Sequence, residues 1–258
     1  CLSDTLAQDA LPDGTGGVWY FTSGTKELLH ADARGAITAR ERITSATHDL
    51  VNPQFIRLGR DGTLWLSTWS HELRSYHPGT RKWETFTHQD AEPWSITSSN
   101  TKSWLQDCDG RIWLGTFAGL NVIDPAHKDV SPYRIGQGDE WIGCIRALDA
   151  QRVLVGTSNG LFVLDRSSGE QRVLSFVDSA SEALYIPYAN NIRNLTRISD
   201  GFLVGTLDGL LHLDSALTKL SRPSAIISQQ PRLGRGTVSF VQHDGRGNLW
   251  IGKTKGGL

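Results

Sequence analysis

Aromatic side chains stand beside acids, amides and a histidine in several irregular stretches of the sequence. Aromatic faces next to hydrogen-bonding groups suit a sugar, whose rings have apolar faces and hydroxyl edges. We therefore expect these stretches to form a ligand-binding site, with Tyr185 and Tyr188 as first choice because their stretch is the longest. The alternative is that the aromatics pack the rims of sheets. The candidate ligand-binding residues are Trp69, His71, Trp94, Asp139, Glu140, Trp141, Tyr185, Tyr188 and Asn190.

Two arginines, Arg232 and Arg235, occupy the equivalent stretch before the last copy of a repeat described below. Residues 231–258 carry five basic side chains and one acid, Asp244. A locally cationic rim could hold an acidic sugar or a phosphate. An ordinary solvated face is the more common origin of such a charge run. We add Arg232 and Arg235 to the candidate ligand-binding residues.

Signatures of catalysis and of metal binding are not found. The sequence has no Gly-x-Ser-x-Gly elbow, no phosphate-binding loop and no His-Glu-x-x-His, and its eight histidines are dispersed. His30 and His212 fall at the same position of a repeated strand, which favours packing over catalysis. The acid pair Asp139-Glu140 does not reveal the carboxylate separation that glycoside hydrolysis requires. We predict a non-catalytic chain with no catalytic residue, no metal and no cofactor.

The composition limits the classes of partner. The chain has 258 residues, of which 26 are basic and 27 acidic, giving a net charge of −1. Binding to nucleic acid or to an anionic membrane requires a cationic excess, so we expect no nucleic-acid partner. The longest apolar runs, such as residues 18–21, are four residues long, whereas a membrane-spanning helix needs roughly 20. Any contact with a membrane would therefore lie outside this segment. The three cysteines are too few for a disulfide framework and too scattered for a zinc site.

A repeat predicts the elements that position the candidate residues. An Asp-Gly turn, an apolar stretch and a Gly-Thr pair recur along the chain at intervals of 41 to 49 residues. A period of about 46 residues matches one four-stranded blade of a β-propeller. With tryptophan, or the residue in its place, as the marker, the copies lie at positions 19, 65, 113, 154, 203 and 250.

Each period contains four short apolar stretches that are bounded by turn residues. Aromatic and β-branched residues dominate them, and no window has the period of an amphipathic helix. We predict an all-β protein, a single β-propeller domain with five complete blades and the first half of a sixth. The predicted limits are 5–50, 51–98, 99–141, 142–191, 192–237 and, for the half blade, 238–258. Because half a blade leaves sheet edges exposed, we expect the complete domain to continue past Leu258, to seven blades or more.

Residues 107–120 follow the pattern Asp-x-x-Gly-x-[Leu/Ile]-Trp-[Ile/Leu]-Gly-Thr-x-x-Gly-Leu nearly throughout, and residues 244–258 follow it closely. This pattern resembles the two-component regulator propeller repeat. Thr22 and Ser67 stand where the pattern has glycine, Lys253 replaces the threonine of the last copy, and the fourth and fifth copies lack tryptophan. We expect the repeated Asp, Gly and Trp residues to shape hairpins and fill the core rather than bind a ligand.

The resemblance implies a function that the spacing alone does not. Propellers of this family typically form the extracytoplasmic sensing part of bacterial membrane receptors, and the best-known ligands are oligosaccharides. The resemblance thus implies a periplasmic sensor domain that binds a small molecule or an oligosaccharide. It also implies a homodimer in the intact receptor, in which the ligand would shift the population of two arrangements of the propellers.

Two other functions stay open at this point. A propeller lyase acting on a cyclic peptide or an acidic polysaccharide would need a histidine and an acid together, and proximity of His71 to Asp139 or Glu140 would favour it. A scaffold for protein partners would instead show a broad exposed apolar patch.

Overall fold

The computed structural model describes residues 7–22, 25–43, 53–68, 72–138, 140–176, 186–244, 246 and 248–254. These residues form five four-stranded antiparallel sheets and one two-stranded sheet. Within each sheet the strands that follow one another in sequence are neighbours, as in propeller blades. The prediction of an all-β fold with five blades and half of a sixth is confirmed. No helix among the described residues is long and apolar enough to cross a membrane.

The chain divides into two compact units, and the first contains residues 1–102 and 123–132. Its two complete sheets are the first and second blades. Their strands are β1 (Ala7–Pro12), β2 (Val18–Thr22), β3 (Glu27–Ala31), β4 (Ile37–Arg42), β5 (Pro53–Leu58), β6 (Leu64–Thr68), β7 (Glu72–His77) and β8 (Lys82–Phe86). The third blade follows with β9 (Thr101–Gln106), β10 (Ile112–Thr116), β11 (Gly119–Asp124) and β12 (Asp129–Tyr133).

The second unit contains residues 103–122 and 133–258, with the fourth and fifth blades and the two-stranded sheet. Two short helices and one 3₁₀ turn are its other described elements. Its remaining strands are β13 (Ile142–Ala147), β14 (Arg152–Thr157), β15 (Gly160–Asp165), β16 (Gln171–Leu174), β17 (Ile192–Ile198), β18 (Gly201–Thr206), β19 (Gly209–Asp214), β20 (Leu220–Ser221), β21 (Val238–His243) and β22 (Leu249–Lys253). The helices are α1 (Ile186–Ala189) and α2 (Ser224–Gln229), and the 3₁₀ turn is Pro231–Gly234.

The aspartate and tryptophan of the repeat form one local network. In the third blade Asp107 Oδ1 accepts hydrogen bonds from the backbone N–H groups of Asp109 and Arg111, both at 3.0 Å. Asp107 Oδ2 accepts a bond of 2.8 Å from the indole Nε1 of Trp113. Trp113 is only 3% exposed and packs against Tyr133. The motif aspartate therefore closes the turn and fixes the core tryptophan at the same time.

The motif glycine is a spacer between neighbouring sheets of the second unit. A Cβ on Gly115 would lie 2.6 Å from Cγ2 of Ile142, and a Cβ on Gly156 would lie 2.6 Å from Cγ2 of Ile192. Both isoleucines begin the first strand of the following blade. Glycine therefore recurs at this position because any side chain would collide with the next sheet.

Two blades of the first unit lack the motif glycine. In the second blade Ser67 takes its place, and its hydroxyl is bonded to that of Thr101. The prediction that Thr22 stands at the glycine position of the first blade is wrong. Strand β1 pairs Ala7 with Thr22, just as β13 pairs its own first residue with the motif threonine, so Phe21 occupies the glycine position. Phe21 is fully buried and belongs to the same core cluster as Leu66.

The first strands of five sheets share a β-bulge near their start. In the fourth blade the register shifts between Ile142 and Cys144, and in the fifth between Ile192 and Asn194. A bulge leaves one residue outside the ladder and re-aims its side chain. The residues in this position are Gln8, Gln54, Gly143, Arg193 and Ser239.

Candidate ligand-binding site

The eleven predicted site residues are placed very differently by the fold. Trp69, His71, Asp139 and Tyr185 lie outside the described residues. The side chains of Trp94 and Tyr188 are 74% and 52% exposed. The other five residues make contacts within the second unit. They are Asn190, Glu140, Trp141, Arg232 and Arg235.

Asn190 and Arg232 make contacts that shape the chain. Asn190 is buried, its Oδ1 accepts a 2.6 Å bond from the N–H of Phe176, and its Nδ2 donates a 3.1 Å bond to the carbonyl of Phe176. The backbone carbonyl of Arg232 accepts a bond from Nζ of Lys253. The exposed Arg232 side chain borders an open cavity of about 710 Å³ next to β22. No third strand pairs with β22 among the described residues.

Glu140 is held by polar partners at the beginning of the fourth blade. It is 5% exposed, and its Oε2 accepts bonds from Nδ2 of Asn159 at 2.7 Å and from Oγ of Ser158 at 3.3 Å. Both partners lie in the turn between β14 and β15. No described histidine bonds to Glu140, so the part of the structure described does not place an acid–histidine pair here.

Trp141, Phe117 and Arg193 form a cluster that we call the Trp141 cluster. The ring centroids of Phe117 and Trp141 are 5.8 Å apart. The guanidinium carbon of Arg193 lies 3.9 Å from the centroid of the Trp141 ring, within the range of a cation–π contact. Phe117 is 46% exposed, and Trp141 and Arg193 are half-buried. The cluster is therefore partly covered at Trp141 and Arg193 and open to solvent at Phe117.

A bulge and a glycine explain how Arg193 reaches Trp141. Arg193 is the extra residue of the bulge in β17, so its side chain leaves the alternation of that strand. Gly143 is the extra residue of the neighbouring bulge in β13. A Cβ on Gly143 would lie 2.2 Å from the carbonyl oxygen of Ile192 and 3.3 Å from the Trp141 ring. The missing side chain at Gly143 therefore lets β17 approach and brings Arg193 over the indole.

Polar atoms of this region are buried without protein partners. Nε of Arg193, Nε1 of Trp141 and Oδ1 of Asn191 are buried and have no hydrogen bond within the described residues. Burial lowers the pKa of the Arg193 guanidinium. No described carboxylate forms an ion pair with Arg193, and its two terminal nitrogens are not among the fully buried atoms. A buried cation without a counter-charge is costly, and a bound anion would compensate it.

A second charged group of the same unit consists of Asp208, in the turn between β18 and β19, and the two arginines that bind it. Asp208 is buried, and its Oδ2 accepts bonds from Arg222 at 2.9 Å and from Arg235 at 3.2 Å. The N–H of Leu207 donates a 3.2 Å bond to the carbonyl of Asn191. This bond links the turn that carries Asp208 to the start of β17. Two guanidinium groups on one carboxylate leave this group with a net positive charge.

In the first unit, three polar side chains are joined by hydrogen bonds at the bulge of β5. Nζ of Lys102 donates a 3.1 Å bond to Oε1 of Gln54, and Nε2 of Gln54 donates a 3.4 Å bond to Oδ1 of Asn100. Polar side chains thus recur at the starts of first strands in this unit as well. No group of three or more His, Cys, Asp or Glu that could hold a metal ion occurs within the described ranges.

Sequence reasoning missed Arg193, Arg222 and the pairing of Phe117 with Trp141. The sequence does not show that the Phe117 ring packs against that of Trp141. One signal for Arg193 was available: a long polar side chain follows the first residue of β5, β9 and β17 alike, as Gln54, Lys102 and Arg193. In β5 and β17 that position is the bulge.

Solved structures with this fold come from receptors and from enzymes. The extracellular domain assigned to a hybrid two-component system of B. thetaiotaomicron matches with a TM-score of 0.70 and 14% identity, over 99% of this chain and 33% of that one. A second extracellular domain of that organism, assigned to a one-component system, matches with a TM-score of 0.68 and 21% identity, over 96% and 31%. Virginiamycin B lyase from Staphylococcus aureus matches with a TM-score of 0.66 and 10% identity, over 97% and 78%.

These likenesses establish the fold. The chain spans about a third of the length of the two extracellular domains. No protein-family profile and no curated protein matches the chain. The chain has the β-propeller fold found in the extracellular domains of two-component receptors, in agreement with the two-component regulator propeller repeat that its motif resembles.

Proposed function

We propose that this chain is the ligand-sensing propeller of a bacterial two-component receptor, exposed on the periplasmic side of the membrane. The repeat motif and the fold of the two-component extracellular domains support this assignment. The single observation that carries a binding role is the half-buried Arg193 on the Trp141 ring, with buried polar atoms beside it that have no hydrogen-bond partner among the described residues. The ligand is a small polar molecule or an oligosaccharide that binds at the Trp141 cluster.

The Trp141 cluster joins residues from three consecutive blades. Phe117 belongs to the turn after β10 in the third blade, Trp141 precedes β13 in the fourth, and Arg193 lies in β17 of the fifth. A ligand that contacts all three would favour the arrangement of blades in which they fit it best. In the intact receptor, a homodimer in this proposal, that preference would bias the output domain. The ligand shifts the equilibrium only by its differential affinity for the two states.

A lyase on the same fold is the second candidate, because virginiamycin B lyase is among the matching structures. Such an enzyme needs an acid and a base near the bond that is cleaved. The acid that precedes Trp141 in the chain, Glu140, bonds to an amide and a hydroxyl among the described residues. This arrangement supports binding more than proton transfer.

A thermal-shift screen of the protein against neutral and acidic oligosaccharides tests the proposal. A ligand at 100 times its dissociation constant adds about 2.7 kcal/mol to the free energy of unfolding, which gives a clear rise in melting temperature. Mass spectrometry of the recovered ligand after prolonged incubation distinguishes the two candidates. A stabilising ligand that is recovered unchanged supports the sensor, whereas one that is cleaved overturns it in favour of an enzyme. A panel with no stabilising ligand contradicts the sugar-binding sensor.

A further inference from the structure

We propose that the ligand of this site is a sugar acid, whose carboxylate is bound by Arg193 while its ring covers the exposed face of Phe117. This inference rests on the proposed function and specifies the class of ligand. It goes beyond that function, because a sensor for neutral sugars would need no cation at this place.

The first argument concerns the charge of Arg193. Its guanidinium is covered on one face by the Trp141 ring at 3.9 Å, and its Nε is buried without a hydrogen-bond partner among the described residues. Structural arginines in this chain are paired differently: the buried Arg74 binds Glu72 at 2.6 Å, and Arg166 binds Asp107 at 2.5 Å. Arg193 is a half-buried cation of the second unit to which the protein supplies no described acid.

The second argument concerns the groups next to Arg193. The indole Nε1 of Trp141 is a second buried donor without a partner in the described part of the chain. Two unpaired N–H donors in a region of low dielectric produce a positive potential, which an acceptor-only ligand group compensates. Glu140 forms no ion pair with Arg193 among the described residues, and its Oε2 accepts bonds from Asn159 and Ser158.

The third argument separates a carboxylate from a phosphate. A guanidinium presents a planar fork that matches either group. A phosphate monoester carries close to two negative charges at pH 7, whereas the cluster offers one guanidinium, to which no described acid is paired. The exposed Phe117 ring provides an apolar face, and Asn159, whose Nδ2 donates to Glu140, is an exposed polar residue of the turn after β14 in the same unit. Together these groups fit a ring that carries one carboxylate and several hydroxyls.

Isothermal titration with galacturonate and glucuronate oligosaccharides tests this inference. The methyl esters of the same oligosaccharides are matched ligands that lack only the charge. We expect the acids to bind the wild-type protein at least ~30-fold more tightly than their esters, because the ester loses the charge-assisted bond to the guanidinium. The R193Q variant should lose this preference and bind the acids ~30-fold more weakly, with little change for the esters.

Two further variants make the result specific. R172Q removes an exposed arginine on β16 of the same unit, so it lowers the net charge equally and should bind the acids as the wild type does. R193K keeps the charge but loses the planar fork, and we expect an intermediate loss of about tenfold. R193K also serves as the informative variant if R193Q does not fold, as judged by circular dichroism.

The inference and the proposed function fail in different ways. Equal affinity for acids and esters, or binding of acids that R193Q and R193K leave unchanged, overturns the assignment of Arg193 as the carboxylate-binding residue. A sensor for neutral sugars would still stand in that case. Lack of binding by all acidic probes also overturns the sugar-acid assignment, and the neutral part of the thermal-shift panel then decides whether the sensor itself survives.

Discussion

The glycine spacer between the fourth and fifth blades offers a direct test of how the blades pack. In the G156A variant the new Cβ would lie 2.6 Å from both Sγ of Cys144 and Cγ2 of Ile192. Ordinary contacts between such atoms are roughly 3.5–4.0 Å, so the methyl group overlaps its neighbours by about 1 Å. Cys144 is 3% exposed and Ile192 fully buried, so neither can move aside into solvent.

The expected cost of G156A follows from that overlap. Overpacking a well-filled core costs about 1–3 kcal/mol. Replacing a glycine lowers the conformational entropy of the unfolded chain, which stabilises the folded state by about 0.4–1 kcal/mol. Because the contacts involve buried atoms on two sheets, we expect the upper part of the range, a net loss of about 2 kcal/mol. For a chain of this size that corresponds to a fall in melting temperature of about 4–8 °C.

Guanidinium denaturation followed by circular dichroism measures the loss, and two comparisons make it decisive. The G79A variant is the control, because a Cβ on the exposed Gly79 meets no atom within 4 Å; its stability should stay within about 0.5 kcal/mol of wild type or rise slightly. In the G156A/I192A double variant the overlap with Cγ2 is removed, so the two costs should couple favourably by about 1 kcal/mol or more. A G156A protein as stable as G79A, or costs that simply add, would refute the spacer role.

Three further predictions concern individual groups. The buried Asp107 binds Arg166 and the Trp113 indole, so D107N should lower the free energy of unfolding by about 3 kcal/mol. The D109N variant changes a side chain that is 61% exposed, so it should cost less than about 1 kcal/mol in the same denaturation assay. Equal costs would contradict the network. Burial raises the pKa of the Cys144 thiol to about 12. Ellman's reagent at pH 8 should therefore modify the exposed Cys108 in the folded protein and Cys144 only after unfolding. Rapid modification of Cys144 would contradict this prediction and show that the core opens. Hydrogen bonds from Ser167 and Ser168 lower the pKa of Asp165 from 3.8 to about 2, and those from Asn248 and Arg246 lower the pKa of Asp244 from 3.8 to about 2. Since the folded state then binds fewer protons than the unfolded state, the denaturation midpoint should fall between about pH 4 and pH 2. A midpoint unchanged between pH 4 and pH 2 would contradict these hydrogen bonds.

The fold was predictable from the sequence because the motif residues act locally and act repeatedly. Asp107, Trp113 and Gly115 lie within nine residues of one another, and each has a distinct task in turn, core or sheet packing. Thr22 was wrongly assigned to the glycine position of the motif because the residue at that position has a different role in the first blade. The first blade buries Phe21 at the position where other blades need glycine, and strand pairing, not the residue type, reveals the alignment.

The site was predictable only in part, because its geometry depends on pairing between distant segments. Trp141 and Glu140 were recognisable as an aromatic and an acid in a blade-joining loop. Arg193 was not, because the bulge that turns it toward Trp141 is a property of the β17–β18 register. Asn190 was chosen for its polarity, yet its partner is the backbone of Phe176, 14 residues earlier. A polar loop residue that stabilises the loop cannot be distinguished by type from one that binds a ligand.

The indole N–H resonance of Trp141 offers the most direct test that this cluster is a ligand site. In a ¹⁵N-tryptophan-labelled protein it can be assigned by its loss in W141F, and the resonance of Trp113, whose N–H is bonded to Asp107, serves as the internal reference. Addition of galacturonate oligosaccharides should shift the Trp141 resonance in a saturable way and leave that of Trp113 unchanged. A ligand that stabilises the protein without moving the Trp141 resonance would place the binding site elsewhere and contradict the account.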